Sequence, residues 1–359
     1  MRWYDVVRQT LVSITCILLW GCLLRYLARV IPSISGETIY FPLRLIDDDR
    51  ALNMYRLNIS HEIYQSAIKQ YDHFSPLEIR IIASNRRQNY LMQVVGFLIG
   101  SYQLHGRRCP SLEICNVEQM TFDELEQFRL HIPIRVLGRV GTQPSTVNAT
   151  ITKEAEDYFN CLNKTTKARY VMLLEDDALV VPNFAAMITT LTEQLDQRSQ
   201  IDYVKLYHPN QLRKIPSIPM SIAVSFLMCG TYQLVVLRRV AIAWLFVTMI
   251  PMFALLRSYS AQFLADVRYF LTQSVYLSTP ESCCTPAVLF RAVRIPEIVS
   301  ALSGEKAVLG HAKDHILDES RFVGRQTDAN LVVHIGSISS VRKRRIVLSE
   351  VRMAKDRLH

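Results

Sequence analysis

The chain has 359 residues, half of them hydrophobic, which allows one enzyme-sized domain with additional segments. Its formal net charge is +9, but the basic residues are scattered apart from a short cluster at 342–345, and no nucleic-acid-binding motif is apparent. Nucleic acid is therefore not expected as a partner. Anionic lipid headgroups or phosphorylated substrates explain the basic composition better.

The first apolar segment, residues 11–24, is uncharged and has arginines on both sides. Its length and position predict a transmembrane signal anchor over residues 10–31, preceded by a cytosolic tail at 1–9. No small-residue cleavage site follows it, which favours an uncleaved anchor over a removed signal peptide.

Three N-x-S/T sequons begin at Asn58, Asn148 and Asn163, all after the predicted anchor. Because such sequons are used in the secretory pathway, they favour a lumenal location for this part of the chain. Of the eight cysteines, five lie outside the apolar segments, namely Cys109, Cys115, Cys161, Cys283 and Cys284. The lumen permits disulfides, but an odd number leaves at least one cysteine free or paired between chains, and the pairing stays open.

Short β-rich runs alternate with helical stretches beyond residue 76. The predicted strands cover 78–84, 112–117, 134–140, 170–174 and 202–207. The predicted helices cover 87–103, 152–162 and 182–195. Such alternation is typical of an α/β fold with a largely parallel sheet, in which ligands bind beyond the carboxyl ends of the strands.

A second apolar block covers residues 219–256 and is interrupted only by Gln233 and by the pair Arg238 and Arg239. Each half is just long enough to cross a thin bilayer as a helix, so we predict a transmembrane hairpin with the arginine pair at a cytosolic tip. The alternative is a buried helical hairpin in a soluble core, where both arginines would need partners at considerable cost. The following apolar residues at 259–277 have helical spacing, which fits an interfacial helix or a core helix equally.

Three adjacent acids, Glu175, Asp176 and Asp177, follow the apolar strand predicted at 170–174. Adjacent carboxylates repel one another and lose hydration at a strand's end, so a bound cation is the simplest compensation. An oxygen-preferring ion such as Mn²⁺ or Mg²⁺ would also hold a diphosphate. The alternative is a solvated acidic turn.

Other polar residues offer weaker signals. The D-x-D at 47–49 lies between the anchor and the first strand, which indicates a solvated turn in a stem. His334 ends a β-rich run at 330–336 and could add a nitrogen ligand to the acidic site, although a lone histidine is more often structural. Asp314 and Asp318 lie one helical turn apart, a spacing that usually marks a solvated helix face.

Taken together, these motifs resemble the GT-A class of glycosyltransferases, with an E-D-D motif after a central strand, a later acid at the start of a helix and a histidine near the end. Four runs are more specific: Leu-Leu-Glu-Asp-Asp-Ala at 173–178, Cys-Cys-Thr-Pro-Ala-Val-Leu-Phe at 283–290, Lys-Asp at 313–314 and Val-His-Ile-Gly at 333–336. With a membrane hairpin inserted between them, the chain is similar to the post-GPI-attachment N-acetylgalactosaminyltransferase family over roughly residues 78–342.

This resemblance implies an α/β, GT-A-like (Rossmann-like) glycosyltransferase domain interrupted by the transmembrane hairpin. It implies an inverting, metal-dependent transfer of GalNAc from UDP-GalNAc to the first mannose of GPI anchors, with Mn²⁺ or Mg²⁺ as cofactor. GPI-anchored proteins and membrane lipid are the implied partners. The implied location is the Golgi membrane, with several spans and a lumenal catalytic domain.

Roles for particular residues follow from the matched positions. The implied metal ligands are Glu175, Asp177 and His334, and the implied donor-binding residues are Ser84, Asn85, Arg86, Asn116 and Asp176. The implied catalytic base is Asp314. Lys-Asp stands here in place of the Glu-Asp that is usual in the related transferases, so His315 and Asp318 stay open as alternative bases.

The predicted organisation is a cytosolic tail at 1–9, a signal anchor at 10–31, a lumenal stem at 32–76, a first catalytic part at 77–218, a transmembrane hairpin at 219–257, a second catalytic part at 258–342 and a basic tail at 343–359. Two alternatives compete with this function. One is an N-acetylglucosaminyltransferase acting on N-glycan branches, since a related family shares the early motifs. The other is a non-catalytic three-span membrane scaffold.

Overall fold

The structure is a computed structural model that describes residues 3–31, 48–68, 76–138, 144, 146–208, 218–238, 242–258, 261–280 and 284–336. The predicted basic cluster at 342–345 and the tail at 343–359 lie outside the described residues. Contacts divide the chain into two units. One contains Met1–Ser33 and Asn210–Thr272, and the other contains Ile34–Pro209 and Gln273–Arg357.

Helices and strands alternate through most of the second unit. The helices of the described residues are α1 (Trp3–Val30), α2 (Asp49–Ala67), α3 (Tyr90–Leu104), α4 (Asp123–Glu126), α5 (Val147–Leu162), α6 (Phe184–Asp196), α7 (Ile218–Leu237), α8 (Ile242–Ser258), α9 (Ala261–Thr272), α10 (Ile295–Ser303) and α11 (Lys313–Glu319). The strands are β1 (Leu77–Ala83), β2 (Ser111–Asn116), β3 (Ile134–Val136), β4 (Tyr170–Glu175), β5 (Ala178–Val180), β6 (Tyr203–Lys205), β7 (Leu277–Ser278), β8 (Ala287–Arg291), β9 (Gly324–Thr327) and β10 (Val332–His334).

An eight-stranded sheet in the order β3-β2-β1-β4-β8-β6-β9-β7 forms the centre of the second unit. The neighbours from β3 to β4 are parallel, and so are β6 and β9. In contrast, β8 is antiparallel to both β4 and β6, and β7 is antiparallel to β9. The predicted α/β fold is confirmed, with a sheet that is rich in parallel pairs but mixed. The two strands that make the sheet mixed, β7 and β8, were not predicted from the sequence.

The stretch predicted as a stem contains α2, which packs against α3 within the same unit. Asp48, inside the D-x-D predicted to be a turn, is the N-cap of α2 and accepts a hydrogen bond from a backbone N–H of its first turn at 2.8 Å. Arg56 of α2 donates to Gln93 of α3 at 2.9 Å. Gly96 of α3 lies so close to Ser60 that an added Cβ would overlap its backbone. Residues 49–67 are therefore part of the globular unit.

A disulfide between Cys115 and Cys161 joins the end of β2 to the last turn of α5. Beside it, the fully buried Arg80 of β1 donates to the carbonyls of Cys161 at 3.2 Å and Leu162 at 2.6 Å, and it pairs with Glu78 at 2.7 Å. The last carbonyls of a helix have no hydrogen-bond donors within the helix, and Arg80 provides donors for two of them. The disulfide and Arg80 together fix the C-terminus of α5 to the central sheet.

Replacing Cys115 and Cys161 together by Ala should lower the free energy of unfolding by about 2–4 kcal/mol, because the bond restrains the unfolded chain. The two cysteines are separated by 46 positions, which makes the restraint substantial. Denaturant unfolding of the two proteins, with and without a reducing agent, measures this. The reductant should destabilise the wild type more than the double variant, and equal stability of the two proteins would contradict the assignment.

The other unit contains the helices that could span a membrane. Two apolar segments have sufficient length and hydropathy, Val7–Leu27 and Ile218–Val236, and Ile242–Arg257 is a shorter apolar helix. These segments overlap the predicted anchor and the two halves of the predicted hairpin. By length and composition they support membrane association of the chain.

The helices α1, α7 and α8 pack together around an apolar core within this unit. Gln233, the polar residue that interrupts the apolar block, donates to Thr248 across the hairpin at 3.4 Å. A buried amide is costly without such a partner. At the predicted tip, Arg238 is described and Arg239 lies outside the described residues. In α9, which falls in the predicted segment 259–277, the exposed side chains include Phe270.

Candidate functional site

The three acids predicted as a metal motif lie at the end of the central strand β4. Glu175 is the last residue of β4 and pairs in register with Ile82 of β1. The Asp176 N–H donates to the carbonyl of Ile82 at 3.0 Å, and its carboxylate accepts from the backbone N–H and hydroxyl of Ser84 at 2.8 and 3.1 Å. Asp176 is 2% exposed and Asp177 is 0% exposed, so this is not a solvated acidic turn.

His334 reaches the acids through a second, two-stranded sheet. Strand β10 pairs antiparallel with β5, which places His334 opposite Ala178, and the N–H of Ile335 donates to the carbonyl of Asp177 at 2.8 Å. The imidazole Nε2 of His334 lies 3.2 Å from Asp177 Oδ2. Three possible ligand atoms lie within 4.8 Å of one another, one each from Glu175, Asp177 and His334.

The guanidinium of Arg86 bridges the two buried aspartates. Its Nη1 lies 2.5 Å from Asp177 Oδ2, and its Nε lies 2.9 Å from Asp176 Oδ1. Gly336 lies against the same group, because a Cβ added there would overlap the Asp177 carboxylate and lie 3.4 Å from Arg86 Nη1. Only glycine leaves room for this ion pair at position 336.

These contacts determine the charge states of the site. Burial would raise the pKa of Asp177, but Arg86 and His334 outweigh it and hold that pKa well below its usual range. Burial raises the pKa of Asp176 to about 6, against the opposing effect of Arg86. Burial would lower the pKa of His334, but the Asp177 carboxylate outweighs it and raises the value to about 9. In this arrangement Asp177 is ionised and His334 carries a proton at neutral pH.

The donor set fits a divalent cation. Asp177 Oδ1 is buried and accepts no hydrogen bond from the described residues. A buried carboxylate oxygen without a partner is costly, and a bound ion would provide one. Two carboxylates and an imidazole, from Glu175, Asp177 and His334, are ligands that Mn²⁺ accepts.

Lys313, at the start of α11, contacts the first acid of the motif. Its Nζ lies 2.7 Å from Glu175 Oε1 and 5.1 Å from the ring centroid of Tyr158. Burial would lower the pKa of Lys313, but Glu175 outweighs it and raises that pKa. Lys313 is thus an ion-pair partner of the acidic site.

Asp314, the expected base, follows Lys313 directly. Its Oδ2 accepts a hydrogen bond from the N–H of Cys284 at 3.0 Å, and its Oδ1 lies 3.3 Å from His315 Nδ1. Burial would raise the pKa of Asp314, but the Cys284 N–H and His315 outweigh it, so the pKa is lowered. The carboxylate is therefore in its basic form at neutral pH. Cys284 is itself disulfide-bonded.

Asp318, the alternative base, forms a buried ion pair with Lys205. Lys205 Nζ lies 2.5 Å from Asp318 Oδ2, and the hydroxyl of Tyr203 donates to Oδ1 at 3.0 Å. The side chains of Lys205 and Asp318 are only 1% and 6% exposed. Because both oxygens already have partners inside the protein, this environment favours a structural role for Asp318.

Replacing Asp318 by Asn should reduce the free energy of unfolding by about 3–5 kcal/mol, because it leaves Lys205 buried without its counter-charge. Turnover per folded molecule should change little. Thermal unfolding and activity per folded molecule measure the two effects. Asp157→Asn is the control, since its pair with Lys153 is more exposed and should contribute less than about 1 kcal/mol. If Asp318→Asn lost turnover while keeping its stability, Asp318 would be the base.

The two asparagines expected at the donor site have different environments. The N–H of Asn85 donates to Glu118 Oε1 at 3.0 Å, which joins the loops after β1 and β2. Asn116 is fully buried, and its amide donates to the carbonyl of Met120 and accepts from the N–H of Glu118, each at 3.0 Å. The side chain of Asn116 therefore holds the loop after β2.

The structure thus brings together Ser84, Arg86, the three acids and His334, while Asn85 lies in the loop after β1 and Asn116 at the end of β2. Three contributors to the site were not predicted: the contact of Lys313 with Glu175, the space required at Gly336, and the link made by Glu118. The sequence signal for Lys313 was its departure from the Glu-Asp pattern of the related transferases.

A mixed α/β sheet whose central strand ends in an acidic cluster, facing a histidine and a helix with a further acid, fits the glycosyltransferase class that the sequence resemblance implies. The family model described as GPI-N-acetylgalactosamine transferase PGAP4 matches residues 77–334. The chain belongs to this family and is a glycosyltransferase that acts on GPI.

Among solved structures, the chain is similar to the mannosyltransferase Ktr4p from S. cerevisiae. The two chains share 11% sequence identity, the match covers 79% of this chain and 74% of the other, and the TM-score is 0.27.

Proposed function

We propose that this chain transfers GalNAc from UDP-GalNAc to the first mannose of the GPI anchor on GPI-linked proteins, with inversion and with the help of a divalent cation. The observation that carries the proposal is the buried acidic cluster at the end of β4, in a chain whose family acts on GPI. The clustering of charged side chains at the carboxyl end of parallel strands supports a phosphate-bearing donor at this edge.

Glu175, Asp177 and His334 would hold the metal, and the unpartnered Oδ1 of Asp177 supports this assignment. A bound divalent ion stabilises negative charge on a diphosphate leaving group. His334 must give up its proton to become a ligand, since only the neutral imidazole coordinates a metal.

The donor would lie beside the ends of β1 and β4, where Ser84 and Arg86 contact the acids. Arg86 can bind a diphosphate with two parallel hydrogen bonds, which suits a guanidinium better than an ammonium. Asp176 would then act indirectly, by orienting Ser84 and Arg86 toward the donor.

Asp314 would accept the proton of the attacking mannose hydroxyl. Its ionised carboxylate and its place next to Lys313, which contacts Glu175, support this role. A single attack opposite to the leaving group of an α-linked donor gives a β-linked product. The N–H of Cys284 would fix the orientation of the carboxylate.

The proposed location is the Golgi membrane, with several spans and a lumenal catalytic unit. The apolar helices support membrane insertion. The sequon residues Asn58, Asn148 and Asn163 all have exposed side chains, which supports a lumenal position of this unit. A GPI acceptor is bound to the same membrane, so transmembrane helices in the enzyme raise the effective concentration of the acceptor at the active site.

Mass spectrometry of GPI glycans tests the whole proposal in cells. Cells that lack this protein should lose the N-acetylhexosamine on the first mannose, and the wild-type chain should restore it. An N-glycan branch that disappears while GPI glycans stay unchanged would indicate the alternative acceptor. Full function of the restored cells with an Asp177→Asn chain would indicate a scaffold.

A further inference from the structure

Two cationic side chains of the protein occupy the carboxylates that a metal would need. Arg86 Nη1 lies 2.5 Å from Asp177 Oδ2, and Lys313 Nζ lies 2.7 Å from Glu175 Oε1. Both acids are among the three proposed metal ligands. The imidazole Nε2 of His334 lies 3.2 Å from the same Oδ2 of Asp177 that Arg86 contacts.

We propose that Arg86 and Lys313 are built-in counter-cations that compete with the metal, so that a free divalent ion binds weakly until a diphosphate attracts both side chains away from the carboxylates. This inference rests on the proposed metal and donor. It adds that the metal binds tightly only together with the diphosphate. The side chains of Arg86 and Lys313 would cause this dependence.

Electrostatics supports competition rather than simple coexistence. A divalent ion on Asp177 would lie close to the guanidinium that shares this carboxylate, and the repulsion is strong because Asp177 is fully buried. Arg86 is 22% and Lys313 is 19% exposed, so each has access to solvent on one side. Long flexible side chains with one open side can exchange a carboxylate for a phosphate oxygen.

Two variants remove one competitor each while keeping a similar side-chain volume, namely Arg86→Met and Lys313→Met. Arg86→Lys is a third variant, which keeps the charge but cannot bridge two carboxylates and guards against a folding defect. The matched control is Arg169→Met. Arg169 pairs with Asp196 at 2.7 Å, and it lies just before the opposite end of β4.

Electron paramagnetic resonance of Mn²⁺, titrated into the full chain in detergent, measures binding of the metal alone and with UDP. The wild type and Arg169→Met should bind Mn²⁺ weakly alone, and UDP should strengthen binding by roughly tenfold or more, a typical coupling between two ligands. Arg86→Met and Lys313→Met should bind Mn²⁺ alone more tightly than the wild type by a similar factor, with less gain from UDP. Arg86→Lys should lie between them.

Thermal unfolding is a second readout that needs no catalysis. Mn²⁺ alone should raise the midpoint of Arg86→Met more than that of the wild type, because ligands that bind the folded state stabilise it. If the wild type and both Met variants bind Mn²⁺ alone equally well, the competition is wrong while the metal site stands. If none binds Mn²⁺ even with UDP, the metal in the proposed function fails, and the inference fails with it.

Discussion

Asp177→Asn should reduce the proposed GalNAc transfer by about 10³-fold or more, because it removes the charge of the proposed central metal ligand and with it several kcal/mol of transition-state stabilisation. The substitution keeps the shape of a side chain that is fully buried between Arg86 and His334. Initial rates of sugar transfer by the purified variant measure the loss. A chelator should abolish the wild-type rate, and added Mn²⁺ should restore it.

The control is Asp47→Ala with Asp49→Ala, in the literal D-x-D that precedes α2. Asp49 is the first residue of that helix, and Asp47 lies outside the described residues. This double variant should keep most of the activity. A large loss of activity in the double variant at 47 and 49, with little change in Asp177→Asn, would contradict a metal site at the end of β4.

Asp314→Asn should reduce turnover by about 10²-fold or more while leaving the affinity for UDP little changed, because it removes the basic lone pair but keeps the shape. The neutral amide can still accept the hydrogen bond from the Cys284 N–H. Single-turnover rates and UDP binding, measured on the same preparation, separate chemistry from donor affinity.

Asp328→Asn is the matched control for this variant, because Asp328 also accepts a hydrogen bond from a backbone N–H, that of Tyr276 at 2.8 Å. It should leave turnover unchanged. An equal loss of UDP affinity and of turnover in Asp314→Asn would make Asp314 a donor-site residue. Asp318→Asn serves poorly as a control, since Asp318 neutralises the buried Lys205.

The central part of the site was predictable because its signals are local. The apolar run of β4 followed by Glu175, Asp176 and Asp177 indicates a buried strand with an acidic end, and the structure has that arrangement. His334 was expected near these acids because it ends a β-rich run and because the family resemblance implies it as a ligand. The antiparallel pairing of β10 with β5 is what brings it there.

Other parts of the site and the fold depend on contacts between residues far apart in the sequence, and no local sequence pattern predicts such contacts. Arg86 and Asp177 are 91 positions apart, yet their charges are in direct contact. Strand β8 follows the inserted hairpin and joins the sheet between β4 and β6. Helix α2 lies in the segment predicted as a stem from its place between the anchor and the first strand, and its packing against α3 depends on a close approach of Ser60 to Gly96 that no local pattern shows.

One measurement tests the central claim most directly: sugar transfer by the purified full chain to a GPI acceptor in mixed micelles, with Mn²⁺ and with UDP-GalNAc, UDP-GlcNAc or UDP-galactose in parallel. The account predicts transfer from UDP-GalNAc to the first mannose, in β linkage, and loss of this product with Asp177→Asn. Preferred transfer from UDP-GlcNAc, or a rate that Asp177→Asn leaves unchanged, would contradict it.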